Sequence, residues 1–333
     1  MLFSELARYL QRLESTSSRN AITEILADLF RKSHADEIGK LCYLLQGRVV
    51  PLYEAVEFGL ADKFIIRAIS AAYGIDTEKV VKEFKRQGDL GKAAEMLHTG
   101  KDTKLTVLSV YEKLLEIAQT GGSGSQEKKI GILADVLTKV DGPSACYIVR
   151  IPLDKLRLGF SEMTILDSLS WMVAGDKSLR KELEEAFNVR PDIGFLSQTI
   201  KKEGMRGLAH VKAKVGSPVL AQLSQRLPNA DEMIRKMTEV AVEPKYDGVR
   251  VQIHFKRGAW VRTYSRNLEN TSDMFPELEE VGKELRGDEV ILDSEAVGFN
   301  PKTGSIISFQ ETTTRKRKHN IELAVQTVPL KFF

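Results

Sequence analysis

The sequence predicts two domains of different structural class, an all-helical domain followed by the first part of an α+β domain. Up to about Leu208, apolar residues recur at the spacing of an amphipathic helix, as at Ile22, Leu26 and Leu29. After Thr238 the apolar spacing changes to every second residue, which is typical of a strand with one buried face. The chain of 333 residues is long enough to form two substantial cores.

The helical spacing returns in several segments that are separated by glycine and proline. We predict these helices at residues 55–73, 77–86, 105–119, 128–140, 161–174 and 179–187. An all-helical domain is therefore predicted over residues 1–205, with the Gly/Ser run at 121–125 as a surface loop. Residues 206–236 are predicted to connect the domains, with a short helix near 231–237 at their end.

Residues 237–333 are predicted to form the α+β region. Val249, Val251 and Ile253 alternate with polar residues, so a strand with one buried and one polar face is expected. A hairpin turn at 256–259 and a returning strand follow it. A helix over residues 273–285 and a second extended segment over 290–299 complete the pattern.

The composition indicates a soluble, intracellular protein. Hydrophobic residues make up 42% and charged residues 29% of the chain. No apolar run approaches the roughly 20 residues of a membrane span, and Glu5 and Arg8 interrupt the apolar N-terminus, so neither a membrane anchor nor a signal peptide is expected. Cys42 and Cys146 lack partners at metal-ligand spacing, and the net charge of +3 alone does not indicate a nucleic-acid partner.

The strongest candidate site is the octet from Glu243 to Arg250, which surrounds Lys245 with a proline and a Tyr-Asp-Gly turn. An unprotonated lysine can attack the α-phosphate of a nucleotide and retain AMP as a phosphoramidate. Arg250 adds a permanent positive charge, which favours the neutral amine and can bind phosphate or sugar oxygens. Gly248 allows a close turn under a phosphate.

This octet resembles the adenylation motif of ATP-dependent DNA ligases, which belong to the covalent nucleotidyltransferases. Two later segments also resemble motifs of that family, Ser265-Arg266-Asn267 and the Asp-x-Glu of Leu292 to Val297, in which Ser294 replaces the usual glycine. The resemblance implies that Lys245 is the nucleophile, and that the nucleotide is bound by Glu243 at the adenine, Arg250 at ribose or phosphate, Arg266 at phosphate and Glu295 at ribose and metal. Asp247 is implied in the last step of the reaction.

DNA contacts are predicted at two basic segments. Lys155 and Arg157 precede a glycine and a serine that can cap the next helix, which suits phosphate binding, and the segment resembles part of the helical DNA-binding domain of archaeal and eukaryotic-type ligases. The second segment is the charged run Arg315, Lys316, Arg317 and Lys318, which also resembles the family at that position.

The resemblance implies an enzyme that seals nicked duplex DNA in replication, repair and recombination, with ATP and Mg²⁺ as cofactors. We expect a cytoplasmic, nucleoid-associated monomer with no membrane partner, and a sliding-clamp partner is left open. A non-catalytic duplex-DNA-binding module is the alternative. An NAD-dependent ligase is disfavoured because the N-terminal region does not resemble the nicotinamide-binding domain of that class. An RNA ligase and a capping enzyme are disfavoured by the long helical region.

The C-terminal residues 328–333 end within an apolar, strand-like run. In the family, this strand continues to a phenylalanine that stacks on adenine, to further motifs with Glu and Lys, and to an oligonucleotide-binding (OB-fold) barrel. We therefore expect a chain that is truncated after its third motif, lacks the barrel and is inactive in sealing by itself.

Overall fold

The computed structural model describes residues 1–222, 224–280, 284–315 and 320–333. The chain divides into two compact units. The first consists of Met1–Phe187 and Pro191–Lys212, and the second of Asn188–Arg190 and Ala213–Phe333.

Twelve α-helices lie within residues 1–203, all of which the structure describes. They are α1 Phe3–Glu14, α2 Arg19–Lys32, α3 Ile38–Leu44, α4 Asp62–Tyr73, α5 Thr77–Gln87, α6 Leu90–Met96, α7 Val107–Gln119, α8 Ser125–Leu137, α9 Gly142–Arg150, α10 Glu162–Ala174, α11 Arg180–Val189 and α12 Ile193–Glu203. The prediction of an all-helical N-terminal region is confirmed.

Helix packing follows the apolar spacing of the sequence. Leu6, Leu13, Leu26 and Leu29 on α1 and α2 are fully buried, since each helix turns one apolar face inward.

Side-chain caps stand at the start of several helices, where they accept hydrogen bonds from the free amides of the first turn. These caps are Ser18, Asp89, Thr106, Asp141, Asp192, Asn229 and Ser308.

The predicted helix over 55–73 begins later than expected, at Asp62. A 3₁₀ turn at Leu52–Glu54 precedes it, and Ala55 and Gly59 both have positive φ angles. A residue in the left-handed backbone conformation cannot continue a right-handed helix. The helix-like apolar spacing before Asp62 therefore does not correspond to a helix.

The second unit contains a four-stranded antiparallel sheet with the strand order β2-β1-β3-β4. The strands are β1 Val249–Lys256, β2 Trp260–Ser265, β3 Glu289–Gly298 and β4 Leu330–Phe332. Three short helices, α13 Ala230–Lys236, α14 Phe309–Thr313 and α15 Ile321–Thr327, belong to the same unit. The α+β prediction and the hairpin at 256–259 are confirmed.

One face of the sheet packs on the core of this unit. Val249, Val251 and Ile253 of β1 contact Phe275 and Leu278 there. Leu278 lies in the 3₁₀ turn Pro276–Glu279, and Phe275 lies between this turn and the one at Ser272–Met274, so the helix predicted over 273–285 is not formed there. Proline disfavours the α conformation in the residue before it, and Phe275 has φ −130° and ψ 61°. Residues 281–283 of that prediction lie outside the described residues.

The opposite face of β1 is buried as well, although the alternation predicted a polar, solvent-facing side. Gln252 is 3% exposed and His254 is 0% exposed. The Gln252 amide pairs with both backbone groups of Val219, at 2.7 and 2.8 Å, and the Gly216 amide donates to His254 Nδ1 at 3.0 Å. Residues 214–219, here called the strap, therefore cover this face, and His254 has a structural role that the sequence did not indicate.

Candidate functional site

The strand order brings three separate sequence motifs to one end of the sheet. β1 begins at Val249, directly after the lysine turn, and its antiparallel neighbours both end near that point. Val251 pairs with Ser265 at the end of β2, and Arg250 pairs with Glu295 near the end of β3. The segments that contain Lys245, Arg266 and Glu295 therefore converge at the start of β1.

The turn that carries Lys245 is attached to β3 through Gly248. The Gly248 amide donates a hydrogen bond to Glu295 Oε1 at 3.2 Å. A Cβ atom at residue 248 would lie 2.9 Å from Val297 Cγ2, 3.0 Å from Glu295 Cγ and closer still to the carbonyl oxygen of Ala296. Glycine is required because the turn approaches the neighbouring backbone closely.

Glu295 lies beside the lysine, in a partly buried position. Desolvation raises the pKa of its carboxyl group, while the Gly248 amide and the nearby charges of Lys245 and Arg250 act in the opposite direction. The hydrogen bond from Gly248 brings the Glu295 carboxylate to the segment that carries Lys245, three residues earlier in the chain. Lys245 itself is exposed, so its amine is accessible to a substrate.

The two acids of the Asp-x-Glu segment have different partners. The Arg250 guanidinium makes a bidentate ion pair with Asp293, from Nε at 2.8 Å and from a terminal nitrogen at 3.0 Å. Ser294 points to the other face, where its hydroxyl donates to the Val251 carbonyl at 2.7 Å. The arginine is thus fixed on the same face as Glu295, and a small hydroxyl residue fits between the two acids.

The other predicted site residues of the second unit lie on its surface. Glu243 and Asp247 are exposed within the lysine segment. Arg266 is also exposed and directly follows β2. The structure places all three near the start of β1 by their position in the chain, and their ligand roles stay predictions.

An aromatic pair at this end of the sheet was not predicted. The rings of Tyr246 and Phe333 stack with centroids 4.1 Å apart and an interplanar angle of 19°. Phe333 exchanges two backbone hydrogen bonds with Glu295, at 2.9 and 3.1 Å. The available signal was the strand-like run at 328–333, but sequence alone did not give its pairing register with β3.

The donor groups at this site fit a magnesium ion that takes one ligand from the protein and the others from a bound substrate and water. Within the described ranges no three His, Cys, Asp or Glu side chains form a metal cluster. Asp293 is occupied by Arg250, and one oxygen of Glu295 accepts from Gly248, which leaves the second Glu295 oxygen as a ligand. Mg²⁺ commonly binds one or two carboxylates together with phosphate and water, so this donor set is adequate.

The predicted DNA contacts of the helical unit lie in the loop after α9. Lys155 Nζ pairs with Asp62 at 3.1 Å, and Arg157 Nε lies 3.7 Å from Asp89. A cleft of about 670 Å³ begins at Arg157 and extends over the start of α10. Ser161 is the N-cap residue of α10, but its side chain makes no capping hydrogen bond.

Arg315 is not on the surface, although it begins the basic run that was predicted to contact DNA. Its side chain is 2% exposed and donates to both carboxylate oxygens of Glu277, at 2.9 and 2.8 Å, and to the Met274 carbonyl at 2.7 Å. This ion pair ties the segment after α14 to the 3₁₀ turns of the core. Lys316, Arg317 and Lys318 lie outside the described residues.

Comparison with known proteins identifies the class to which this fold and site belong. The family model described as "DNA ligase N terminus" matches residues 2–170, and the one described as "ATP dependent DNA ligase domain" matches residues 218–333. The chain therefore belongs to the ATP-dependent DNA ligase family, as its motifs indicated. Among the described residues, no helix is long and apolar enough to cross a membrane.

The curated relatives with similar sequences are longer than this chain. A protein named "Probable DNA ligase" from Dictyoglomus thermophilum is 43% identical over 100% of this chain and 57% of its own length. "DNA ligase 2" from Thermofilum pendens and "DNA ligase" from Nitrosopumilus maritimus are 39% and 38% identical, each over 99% of this chain. The chain spans 57% of the length of all three.

Proposed function

We propose that this chain acts in ATP-dependent DNA nick sealing, with Lys245 as the residue that accepts AMP. The observation that carries the proposal is the convergence of Lys245, Arg250 and Glu295 at one end of the sheet, within a segment that matches the ATP dependent DNA ligase domain. The helical unit, which matches the ligase N terminus, is proposed to bind the duplex.

In the proposed reaction the Lys245 amine attacks the α-phosphate of ATP. A nitrogen–phosphorus bond forms as the bond to pyrophosphate breaks, and the attacking amine transfers one N–H proton to the surrounding water. AMP then passes to the 5′-phosphate at the nick, and the 3′-hydroxyl displaces AMP to join the strands. Each step is a phosphoryl transfer, in which positioning and charge stabilisation supply most of the rate enhancement.

The neighbouring side chains have proposed positions around the nucleotide. Glu243 contacts the adenine and Arg266 a phosphate, while Arg250, fixed by Asp293, faces the ribose or phosphate. Glu295 holds the ribose and is the protein ligand of Mg²⁺, which when bound neutralises charge on the transferring phosphate. Asp247 is proposed to assist the last step.

The wider setting of the activity is also part of the proposal. Nicked duplex DNA is the proposed substrate, in replication, repair and recombination, and the location is the cytoplasm in association with the nucleoid. The protein is proposed to act as a monomer. Whether it binds a sliding clamp is not part of the proposal.

Adenylation can be tested in a chimera. Residues 1–333 are joined to the part of the Dictyoglomus thermophilum relative that follows the aligned region, and the product is incubated with α-labelled ATP and Mg²⁺. We predict that the label is attached to Lys245, because this lysine lies in the segment that Gly248 attaches to Glu295 at the start of β1. Lys245→Arg should abolish labelling, whereas Lys256→Arg, at the other end of β1, should retain it.

Peptide mapping decides between the possible results. AMP on a different lysine, or full labelling of Lys245→Arg, would contradict the assignment of the nucleophile. A chimera that binds duplex DNA in a gel shift but forms no adduct would favour the alternative of a non-catalytic DNA-binding module.

A further inference from the structure

The loop between α9 and α10 is held in an uncommon backbone conformation. Arg157 has φ +56°, and Asp154 and Gly159 in the same loop have φ +52° and +69°. Residues other than glycine adopt this left-handed region of φ and ψ at a cost in free energy. Such conformations persist where surrounding contacts maintain them. Leu156 and Leu158, on either side of Arg157, are buried and anchor the loop.

A buried carboxylate faces the arginine of this loop. The side chain of Asp89 is 4% exposed, and its Oδ1 accepts from the Lys92 amide at 2.9 Å and from Arg150 Nε at 3.1 Å. Its Oδ2 has no hydrogen-bond partner among the described residues, but lies 3.7 Å from Arg157 Nε. Asp89 therefore has one oxygen that is satisfied and one that is directed at Arg157.

The charges around Asp89 balance only when Arg157 is included. The buried Arg150 bonds to both Asp89 and Glu14, so two carboxylates share one guanidinium. Although burial acts to raise the pKa of Asp89, hydrogen bonds from Arg150 and Lys92 and the charges of Arg150 and Arg157 lower it overall. Asp89 therefore remains ionised, and Arg157 supplies the second positive charge.

We propose that Asp89 is a positioning residue for Arg157, which it holds through Nε so that the two terminal nitrogens of the guanidinium face a phosphate of the DNA backbone. A guanidinium has five N–H donors in a fixed plane, so an ion pair at Nε orients the remaining four. The Arg157 side chain is 57% exposed and lies at the edge of the 670 Å³ cleft. This inference rests on the proposed DNA binding and adds the residue that orients one contact.

The direction in which a single substitution changes DNA affinity distinguishes this positioning role from simple charge repulsion. Asp89→Asn removes a negative charge that lies beneath the proposed DNA-binding surface, which by Coulomb attraction alone should strengthen binding. If Asp89 positions Arg157, the same substitution should weaken binding. Asparagine keeps the shape of the side chain and is an equally good helix cap, so α6 is retained.

The test measures the affinity of the 333-residue chain for a nicked duplex by fluorescence anisotropy at several salt concentrations. We expect Asp89→Asn and Arg157→Ala each to bind roughly fivefold more weakly, and to reduce the salt slope by up to about 0.9, the value for one phosphate. In the double variant the second substitution should cause no further loss of affinity, because Asp89 acts through Arg157, and the removed negative charge leaves at most a slight gain. Asp135→Asn, which removes an exposed charge of the same unit, should not weaken binding.

Three results would overturn the inference. One is unchanged or tighter binding by Asp89→Asn, and another is an equal loss in the Arg157→Ala background, which would indicate a general structural defect. If Asp89→Asn does not fold, as judged by its melting temperature, Arg157→Lys replaces it, and wild-type affinity of that variant would show that charge alone suffices. A wild-type chain that does not bind duplex DNA would instead contradict the proposed DNA binding, and Lys245 labelling tests adenylation separately.

Discussion

At the scale of single residues, Gly248 has the most restricted position in the candidate site. Its amide bonds to Glu295, and three atoms of β3 occupy the space that a side chain would need. The same contact that excludes a side chain therefore also places Lys245 beside the carboxylate. A change at this glycine should affect both stability and lysine reactivity.

We predict that Gly248→Ala destabilises the second unit by about 1–3 kcal/mol, the usual cost of overpacking a rigid site. In the chimera it should also slow formation of the AMP adduct, because the turn must move away from β3. Adduct formation and the melting temperature are measured on the same preparation. Gly121→Ala is the control, since a Cβ there meets nothing within 4 Å, and equal behaviour of the two variants would contradict the prediction.

The sequence indicated the candidate residues of the site but not their partners. Lys245, Arg250 and Glu295 could be singled out because they lie in short segments of recognisable order. The ion pair of Arg250 with Asp293 and the stacking of Tyr246 on Phe333 depend on the register between strands. Register is decided by packing over the whole sheet, which no short segment of the chain encodes.

At the scale of elements, β1 differs from the strand that its alternation predicts. A polar residue at every second position normally indicates a solvated face, yet Gln252 and His254 are buried beneath the strap. Because the Gly216 amide can only donate, His254 Nδ1 must accept, and the ring proton belongs on Nε2, which lies 3.1 Å from Gln252 Oε1. The strap is therefore held by a neutral histidine.

This arrangement predicts a pH dependence of stability. Burial lowers the pKa of His254 from 6.5 to about 4, so the folded protein binds fewer protons than the unfolded chain between these values. The contribution is complete above pH 6.5 and is lost as the pH falls toward 4. Between pH 7.5 and pH 5 we expect the free energy of unfolding to fall by about 2 kcal/mol from this group.

His254→Asn provides the comparison for this prediction, since its amide can accept from Gly216 but does not titrate. Trp171→Phe in both proteins leaves Trp260 as the fluorescent reporter of the second unit. The variant should be less stable at pH 7.5 but should lose less stability on acidification. Parallel curves for the two proteins would show that His254 does not titrate as proposed.

At the scale of the whole molecule, the sequence predicted the order of an all-helical region and an antiparallel α+β region. Helical and strand periodicities are averaged over many residues, so single errors do not change the class. The predictions failed where backbone conformation is set locally, as at Ala55, Gly59 and the Phe275–Pro276 step. The expected surface position of Arg315 is not observed for another reason. Its burial depends on an ion pair with Glu277, which is distant in the sequence.

We predict that residues 1–333, tested by themselves, do not seal a nick. The chain spans 57% of the curated relatives, and the resemblance assigns adenine stacking and closure around the duplex to motifs and a barrel that follow β4. The assay uses a nicked duplex with a labelled 5′-phosphate, ATP and Mg²⁺, and a denaturing gel. The chimera is the positive control, and a joined product from the 333 residues would refute the requirement for those motifs.

The buried ion pair of Arg315 with Glu277 has a consequence for the ionic-strength dependence of DNA binding. A cation contributes to this dependence when it displaces ions condensed on the duplex, and a guanidinium neutralised inside the protein displaces none. Arg315→Gln should therefore lower the melting temperature of the second unit and leave the number of released ions unchanged. For this chain, the number of ions released on DNA binding would be overestimated by at least one if every arginine and lysine of the basic run were counted, because Arg315 stabilises the fold.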